Sequence, residues 1–365
     1  MNKILIVSNS LWNVENFRKK IILKFLELNY KVDIVVPYDK SFIGSISHKN
    51  LTIIYLNFKA KTYISFIDLI FVFKLLKYIK INKPNFVLSF TVKPNLICSF
   101  FSKFLNYKCI CNITGLGTLF LRGNLVKKIA ITLYSICLRN VYHVLFHNIQ
   151  DKKLFLENSI ILEQSSSVIP GSGVDLKFFK YSIKKYFKNQ KINFLYLGRI
   201  MKDKGIFEYL QAIKLIKSNK LNVKFTFAGK LDTKNKTLLN IFKKFIRNQY
   251  IIYLEEVKDV RSLINMCDCL VLPSYREGLS KTLLEASAIG RPLLVSNVPG
   301  CNDIVEEGYN GLLFESQNYK SLQRCLLKFI NLSENEKEQM AKNSHNISSL
   351  FNDEIVMNKY LELVN

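Results

Sequence analysis

The sequence predicts an α/β protein made of two doubly wound domains in tandem. Three observations carry that prediction. Short apolar runs alternate with stretches in which apolar residues recur at helical spacing. The runs are apolar at nearly every position, as strands covered on both faces of a parallel sheet are. The alternation breaks off once, near the middle of the chain, and then restarts. Sheets of this kind take ligands outside the carboxyl ends of their strands, so a cleft between the two domains is the expected site.

Ile4 to Val7 reads as the first strand. Val14, Phe17, Ile21, Ile22, Phe25 and Leu26 then share a helical face that ends near Asn29. Strands follow at Val32 to Pro37 and at Leu51 to Phe58. Ile64 to Ile79 is helical and is stopped by Asn82 and Pro84. Phe86 to Phe90 is a strand, Leu96 to Leu105 a helix and Lys108 to Ile113 a strand. The loop Thr114-Gly115-Leu116-Gly117 leads to a helix at Leu125 to Leu138 and a strand at Val141 to Phe146. Ser165-Ser166-Ser167 and Pro170-Gly171-Ser172-Gly173 punctuate the chain. The basic, less patterned stretch Lys177 to Lys191 marks the domain boundary. The alternation restarts with strand Phe194 to Leu197, helix Ile206 to Ile216, strand Val223 to Ala228 and helix Leu238 to Ile246. It continues with strand Ile251 to Leu254, helix Val260 to Met266, strand Cys269 to Pro273, a helix through Leu283 to Ala288 and strand Pro292 to Ser296. From Tyr319 onward the chain reads as successive helices with charged faces.

A chain of 365 residues is long enough for two cores. Its formal net charge is +25, carried mostly by lysine, which fits nucleic acid, an anionic membrane surface, acidic small substrates or a compositional bias toward Lys, Asn and Ile. The lysines are spread evenly, with no compact Arg-rich run, zinc-finger spacing or aromatic RNA-binding signature, so nucleic acid is not the expected partner. Cys109-x-Cys111 and Cys267-x-Cys269 have metal-like spacings, but they lie beside strand-like runs with no second pair. Buried thiols in a reducing, cytoplasmic compartment are expected, and no metal site. His143 and His147 flank an apolar strand and cannot share a helical face, so they do not read as a metal pair. The apolar run at Ile4 to Val7 is too short for a signal peptide, and no run reaches the ~18 residues of a membrane-spanning helix.

The densest chemistry lies at Arg276-Glu277-Gly278-Leu279-Ser280-Lys281-Thr282-Leu283-Leu284-Glu285-Ala286. Here a strand passes through a glycine turn into a helix. Amides of Gly278, Leu279, Ser280 and Lys281 stand at a helix start, where an anion is favoured. Glu277 and Glu285 offer two carboxylates for hydroxyls, so the set suits a sugar nucleotide. The purely structural alternative is a capping box at Thr282-x-x-Glu285 and a solvated loop carboxylate at Glu277. A second cluster, Gly198-Arg199 with Lys204-Gly205, places a guanidinium at a strand end and an ammonium at a helix start. That pair suits a diphosphate and would stabilise charge on a leaving nucleoside diphosphate.

These motifs, with Pro273-Ser274, Pro292-Leu293 and Gly308-Tyr309-Asn310-Gly311-Leu312, resemble the retaining glycosyltransferases of family 4. The two glutamates keep that family's E-x7-E spacing. The resemblance covers nearly all of residues 190–315 and implies the GT-B fold, two Rossmann-like domains facing a cleft. It implies an N-terminal domain at 1–175 that reads the acceptor, joined in space by a terminal helix at 350–365, and a donor domain at 190–349. It further implies a nucleotide-sugar donor, retention at the anomeric carbon and no required metal or other cofactor. Carried over by position, Gly198, Arg199 and Lys204 hold the diphosphate, Glu277 meets the donor sugar, Glu285 binds the ribose and Val257 faces the nucleobase.

In the first half, Ser89 to Asn95, Ile113 to Gly117, His147-Asn148 with Asp151, Pro170 to Asp175 and Asn16-Phe17-Arg18 resemble one bacterial subgroup. Its members add GalNAc, galactose or related sugars to undecaprenyl-diphosphate-linked intermediates. Asn16, Lys93, Thr114, Gly115 and His147 are the acceptor or sugar candidates. Two departures stand out: Ser8-Asn9-Ser10 replaces a Gly-Gly loop, and Thr114 stands where many members have histidine.

The resulting expectation is transfer of a hexose or N-acetylhexosamine from a UDP-sugar to a polyprenyl-diphosphate-linked acceptor, as in capsule or O-antigen assembly. The enzyme would sit peripherally on the inner face of the cell membrane. Leu119 to Arg139 and Ile64 to Ile79 read either as surface helices with one buried face or as helices resting on an anionic leaflet. The rivals are a nucleic-acid-binding protein, which would ignore UDP, a non-catalytic membrane scaffold, a sugar-nucleotide epimerase and a transferase using a GDP-sugar.

Overall fold

A computed structural model describes residues 2–40, 42, 44–58, 66–117, 124–139 and 141–365. The chain divides into two compact units, Met1–Ser172 with Glu354–Asn365, and Gly173–Asp353. The first runs β1 (Lys3–Val7), α1 (Leu11–Glu27), β2 (Lys31–Val36), β3 (Leu51–Tyr55), α2 (Phe66–Asn82), β4 (Phe86–Phe90), α3 (Val92–Leu105), β5 (Lys108–Ile113), α4 (Asn124–Leu138), β6 (His143–Phe146), α5 (Ile149–Glu157) and β7 (Ser166–Val168). The second runs β8 (Ile192–Leu197), α6 (Ile206–Ser218), β9 (Val223–Ala228), α7 (Lys236–Arg247), β10 (Ile252–Leu254), α8 (Arg261–Met266), β11 (Cys269–Leu272), α9 (Lys281–Ile289), β12 (Leu293–Ser296), β13 (Gly311–Phe314), α10 (Tyr319–Asn331) and α11 (Glu334–Ser348). The last helix, α12 (Asp353–Val364), returns to the first unit.

Both sheets are parallel throughout. Their strand orders are β3-β2-β1-β4-β5-β6-β7 and β10-β9-β8-β11-β12-β13. Period-two alternation explains why the central strands are apolar at nearly every residue. Ile4 and Ile6 face α1 and α12, with Phe25 and Val356 behind them, while Leu5 and Val7 face Phe71, Leu75 and Ile79 of α2. The order reverses between β1 and β4 in the first sheet and between β8 and β11 in the second. Such a reversal sends neighbouring loops to opposite faces and opens a crevice at the strand ends.

Three elements escape the sequence pattern. β7 is a three-residue serine-rich edge strand beside β6, in a stretch that reads as punctuation. β13 pairs with β12 and begins inside the glycine motif at 308–312. α5 is short and polar, and its start is fixed by Asn148, whose Oδ1 accepts the Asp151 amide at 2.7 Å.

The boundary also differs from its compositional marker. Lys177 to Lys191 lies inside the second unit and is packed against it: the Tyr186 hydroxyl donates to Asp268 O at 2.6 Å and Lys184 pairs with Asp268 at 2.9 Å. The break falls at 172/173 rather than after 175, because the Val174 amide bonds Phe351 O and the Asp353 amide bonds Val174 O. Arg291, 1% exposed, ties this strap to α8 and the end of α9 by donating to the carbonyls of Ser182, Ile264, Asn265, Ile289 and Gly290.

Candidate active site

In the second unit the loops leaving β8 and β11 meet at the reversal point. After β8 come Gly198 and the exposed Arg199, then a single helical turn at Lys202–Lys204. Gly205 closes that turn at φ 69, and a Cβ there would lie 1.9 Å from Pro273 O. Only glycine lets the two loops approach so closely. The Tyr275 amide then bonds Asp203 O at 3.0 Å. The outcome is an ion pair between Lys204 Nζ and Glu277 Oε1, joining positions 73 residues apart.

The segment at 277–280 is stitched to the loop after β12. The Glu277 amide bonds Pro299 O and the Ser280 amide bonds Gly300 O, both at 3.1 Å. Gly300 has φ 78, and a Cβ on it would sit 2.6 Å from the Glu277 backbone. The Ser280 amide is therefore spent, which corrects the expectation that the whole run from Gly278 to Lys281 offers amides to a ligand. Ser280 also caps α9 without a side-chain bond, so Thr282 and Glu285 lie within the helix and form no capping box. One turn in, burial pushes the Glu285 carboxyl up to about 7, with Lys281 Nζ, 3.8 Å away, offsetting part of the shift. Ser274, fully buried beside this crevice, has a hydroxyl without a partner while its carbonyl accepts from Ser296 Oγ. Val257 is half-buried just beyond β10 and packs on the core.

The first unit places a pocket of about 240 Å³ at its own reversal point. It is lined by Asn9 after β1, by Thr91, Val92, Lys93 and Asn95 after β4, and by Asn112 to Gly115 at the end of β5 and just beyond it, with Phe58 and Tyr134 closing it. Thr91 has φ 74 and ψ 163, a conformation that β-branched residues avoid, so backbone strain is stored at the pocket mouth. Behind it runs a neutral network. Ser89 Oγ donates to Asn95 Oδ1 at 2.8 Å, Asn95 Nδ2 to Asn112 O at 2.8 Å, and Asn112 Nδ2 to Ser89 O at 3.1 Å. The Tyr360 hydroxyl of α12 donates to Asn112 Oδ1. Lys93 pairs with Asp68 at 2.9 Å.

Of the acceptor candidates, Lys93, Thr114 and Gly115 line this pocket. Asn16 does not: it lies exposed on α1 and donates to Trp12 O at 2.9 Å. His147 is buried after β6 and is not a lining residue. His143 instead bonds Ser167 Oγ at 2.7 Å. Asn9, Asn112 and Tyr134 are among the lining residues that sequence reasoning missed, as is Phe58. Asn9 carried a signal, since it sits in the loop that departs from Gly-Gly; Asn112 and Tyr134 carried none.

All eight cysteines are free and buried, including Cys109 and Cys111, whose sulfurs lie 3.7 Å apart. Of the stretch from Leu119 to Arg139, residues 119–123 lie outside the described residues, as do 64 and 65 of the Ile64 to Ile79 segment. Among the described residues no helix is long and apolar enough to cross a membrane.

Comparison with known proteins adds similarity to a family of glycosyl transferases. Residues 168–346 match the model for glycosyl transferases group 1. The chain is 27% identical to the N,N'-diacetylbacillosaminyl-diphospho-undecaprenol alpha-1,3-N-acetylgalactosaminyltransferase of Campylobacter jejuni, over 96% of this chain and 95% of that protein. It is 28% identical to the UDP-Gal:alpha-D-GlcNAc-diphosphoundecaprenol alpha-1,3-galactosyltransferase of Escherichia coli, over 51% of this chain and 50% of that one. Among solved structures, sucrose-phosphate synthase from Thermosynechococcus elongatus superposes with a TM-score of 0.82 at 16% identity, covering 100% of this chain and 98% of the other.

Proposed function

The chain is a GT-B glycosyltransferase with a group 1 domain at residues 168–346, and from that premise we propose that it moves a hexose or N-acetylhexosamine from a UDP-sugar to a polyprenyl-diphosphate-linked glycan. The observation that carries this reading is the crevice at the β8/β11 reversal, where Arg199, Lys204, Glu277 and the start of α9 converge. The two relatives act on diphospho-undecaprenol-linked sugars by name, and one takes UDP-Gal.

In this mechanism the diphosphate lies across Arg199, Lys204 and the α9 amides. It leaves from the face of the sugar that the acceptor hydroxyl attacks, so configuration is retained. Lys204 exchanges Glu277 for the phosphate, which frees the carboxylate to accept hydrogen bonds from donor-sugar hydroxyls. Glu285 receives the ribose. The cations supply the charge stabilisation of the leaving group, so turnover is expected to survive chelation by EDTA. The first unit's pocket receives the acceptor through Lys93, Thr114 and Gly115.

We further place the enzyme in the cytoplasm, on the inner membrane face. Leu125, Ile129, Leu133 and Ile136 form an exposed apolar stripe along α4, with Lys127, Lys128 and Arg139 beside it. That pattern suits an anionic leaflet. Sedimentation with phosphatidylglycerol vesicles, but not with phosphatidylcholine vesicles, is the expected result.

The test of the donor is thermal stability against UDP, GDP, ADP and dTDP, each alone. UDP raises the midpoint by mass action, and Glu285→Ala abolishes the rise. A rise with GDP in place of UDP keeps the enzyme class and overturns the donor.

A further inference from the structure

The first unit buries a positive charge that no carboxylate answers among the described residues. Arg18, seven residues into α1, is 3% exposed. Its guanidinium lies 4.4 Å over the Phe90 ring. Among the described residues its one hydrogen bond runs from Nη1 to Phe17 O at 3.4 Å, and its Nε has no acceptor. No carboxylate pairs with it among the described residues; the charged-state neighbour it feels is Tyr360, whose hydroxyl is committed to Asn112. His147, 6% exposed, adds a second buried group, its Nε2 also without a partner. Burial first, and the Arg18 charge second, hold the His147 imidazole well below its usual range, so it stays neutral.

Burying an unpaired guanidinium is costly, and such a group persists where something else supplies acceptors. Its position says what kind. Phe90 ends β4, His147 follows β6, and Asn9, with an unpartnered buried Oδ1, follows β1. All three stand at the carboxyl ends of the strands, where a doubly wound sheet takes its ligand.

We propose that Arg18 and His147 form an anion subsite of the first unit that takes the diphosphate of the acceptor. The proposal rests on the lipid-diphosphate reading above. The free edge of the guanidinium presents a fork of donors matched to two phosphate oxygens, and stacking on Phe90 holds its plane. A neutral imidazole in one tautomer donates a further bond from Nε2. Lys93, already paired with Asp68, is then a flanking charge and not the principal anion ligand.

The test titrates the full chain by calorimetry with inorganic diphosphate after the donor crevice is saturated with UDP. Wild type binds diphosphate; Arg18→Gln weakens that binding by about 10- to 100-fold, the worth of a charge-assisted hydrogen bond, while Arg18→Lys restores part of it. UDP binding by the same variants stays at the wild-type level and reports that they are folded. If Arg18→Gln does not fold, His147→Asn and Arg18→Lys carry the same comparison. Equal diphosphate affinity in wild type and variants overturns the subsite, as does no binding to the UDP-saturated wild type. Loss of UDP affinity in folded Arg18→Gln reassigns the arginine to the donor phosphate and also overturns it. If UDP fails to bind wild type, the donor reading falls instead, and diphosphate alone still compares the variants. Farnesyl diphosphate should bind more tightly than inorganic diphosphate; equal affinity assigns the site to free phosphate and overturns the acceptor reading.

Discussion

The two crevices occupy the same topological place and are built from opposite chemistry. Each lies where its sheet reverses strand order, β1/β4 in the first unit and β8/β11 in the second. In the second, partly buried cations and carboxylates stand in pairs, Lys204 with Glu277 and Lys281 near Glu285. In the first, the walls are a closed network of amides and hydroxyls around Ser89, Asn95 and Asn112, with the unanswered Arg18 buried beyond Phe90. A doubly wound sheet dictates where a ligand goes, and the loop residues alone dictate which ligand. Charge that must be exchanged is held in pairs; a neutral network preserves shape.

The sharpest way to break this contrast is to remove a cation from the second crevice. Arg199→Ala and Lys204→Ala should each lower kcat by about 100- to 1,000-fold, the range for losing one stabilising donor, with an unchanged circular dichroism spectrum. Near wild-type turnover would place the leaving-group charge elsewhere. Next in size is Gly205→Ala, whose Cβ would meet Pro273 O at 1.9 Å. The turn carrying Lys204 must move, and we expect a loss of at least about 2 kcal/mol in urea unfolding together with most of the turnover.

Glu285 gives a third prediction, with a definite sign. Its folded carboxyl titrates near about 7, above the unfolded value. Between those limits the folded chain holds the extra proton. The stabilising contribution is complete below about pH 4 and fades as pH rises through about 7. Glu285→Gln should flatten that decline by on the order of 2–3 kcal/mol, read as the midpoint in urea at pH 5 against pH 8. An unchanged slope would mean the carboxyl is not desolvated. The smallest effect belongs to the neutral crevice. Tyr360→Phe leaves Asn112 Oδ1 short of a donor and should cost about 1–2 kcal/mol, with UDP affinity unchanged and acceptor KM raised.

The same contrast explains what the sequence could and could not say. Strands buried on both faces write themselves as unbroken apolar runs, so β1, β4, β8 and β11 were legible, and so were the charged loops that follow β8 and β11. Gly205 and Gly300 stand beside the charges they position, which makes that crevice readable as motifs. The ion pair was not readable, since Lys204 and Glu277 are separated by 73 residues and meet only through loop packing. Arg18 was less legible still. It stood in the sequence only as part of the Asn16-Phe17-Arg18 motif, and Phe90 above it and α12 beside it reveal the burial. β7 and α5 escaped because a serine-rich edge and a short polar helix carry little periodicity.

The return of α12 to the first unit bears on synthesis. The second unit is one continuous segment, so all its strands are on hand once residue 353 has left the ribosome. The first unit begins earlier but lacks Val356, Tyr360 and Val364 from its core until the final residues emerge. The half translated first is thus completed last. A nascent chain stalled after 172 should expose the α1 face of its sheet to chaperones, and supplying 353–365 as a separate peptide should close it.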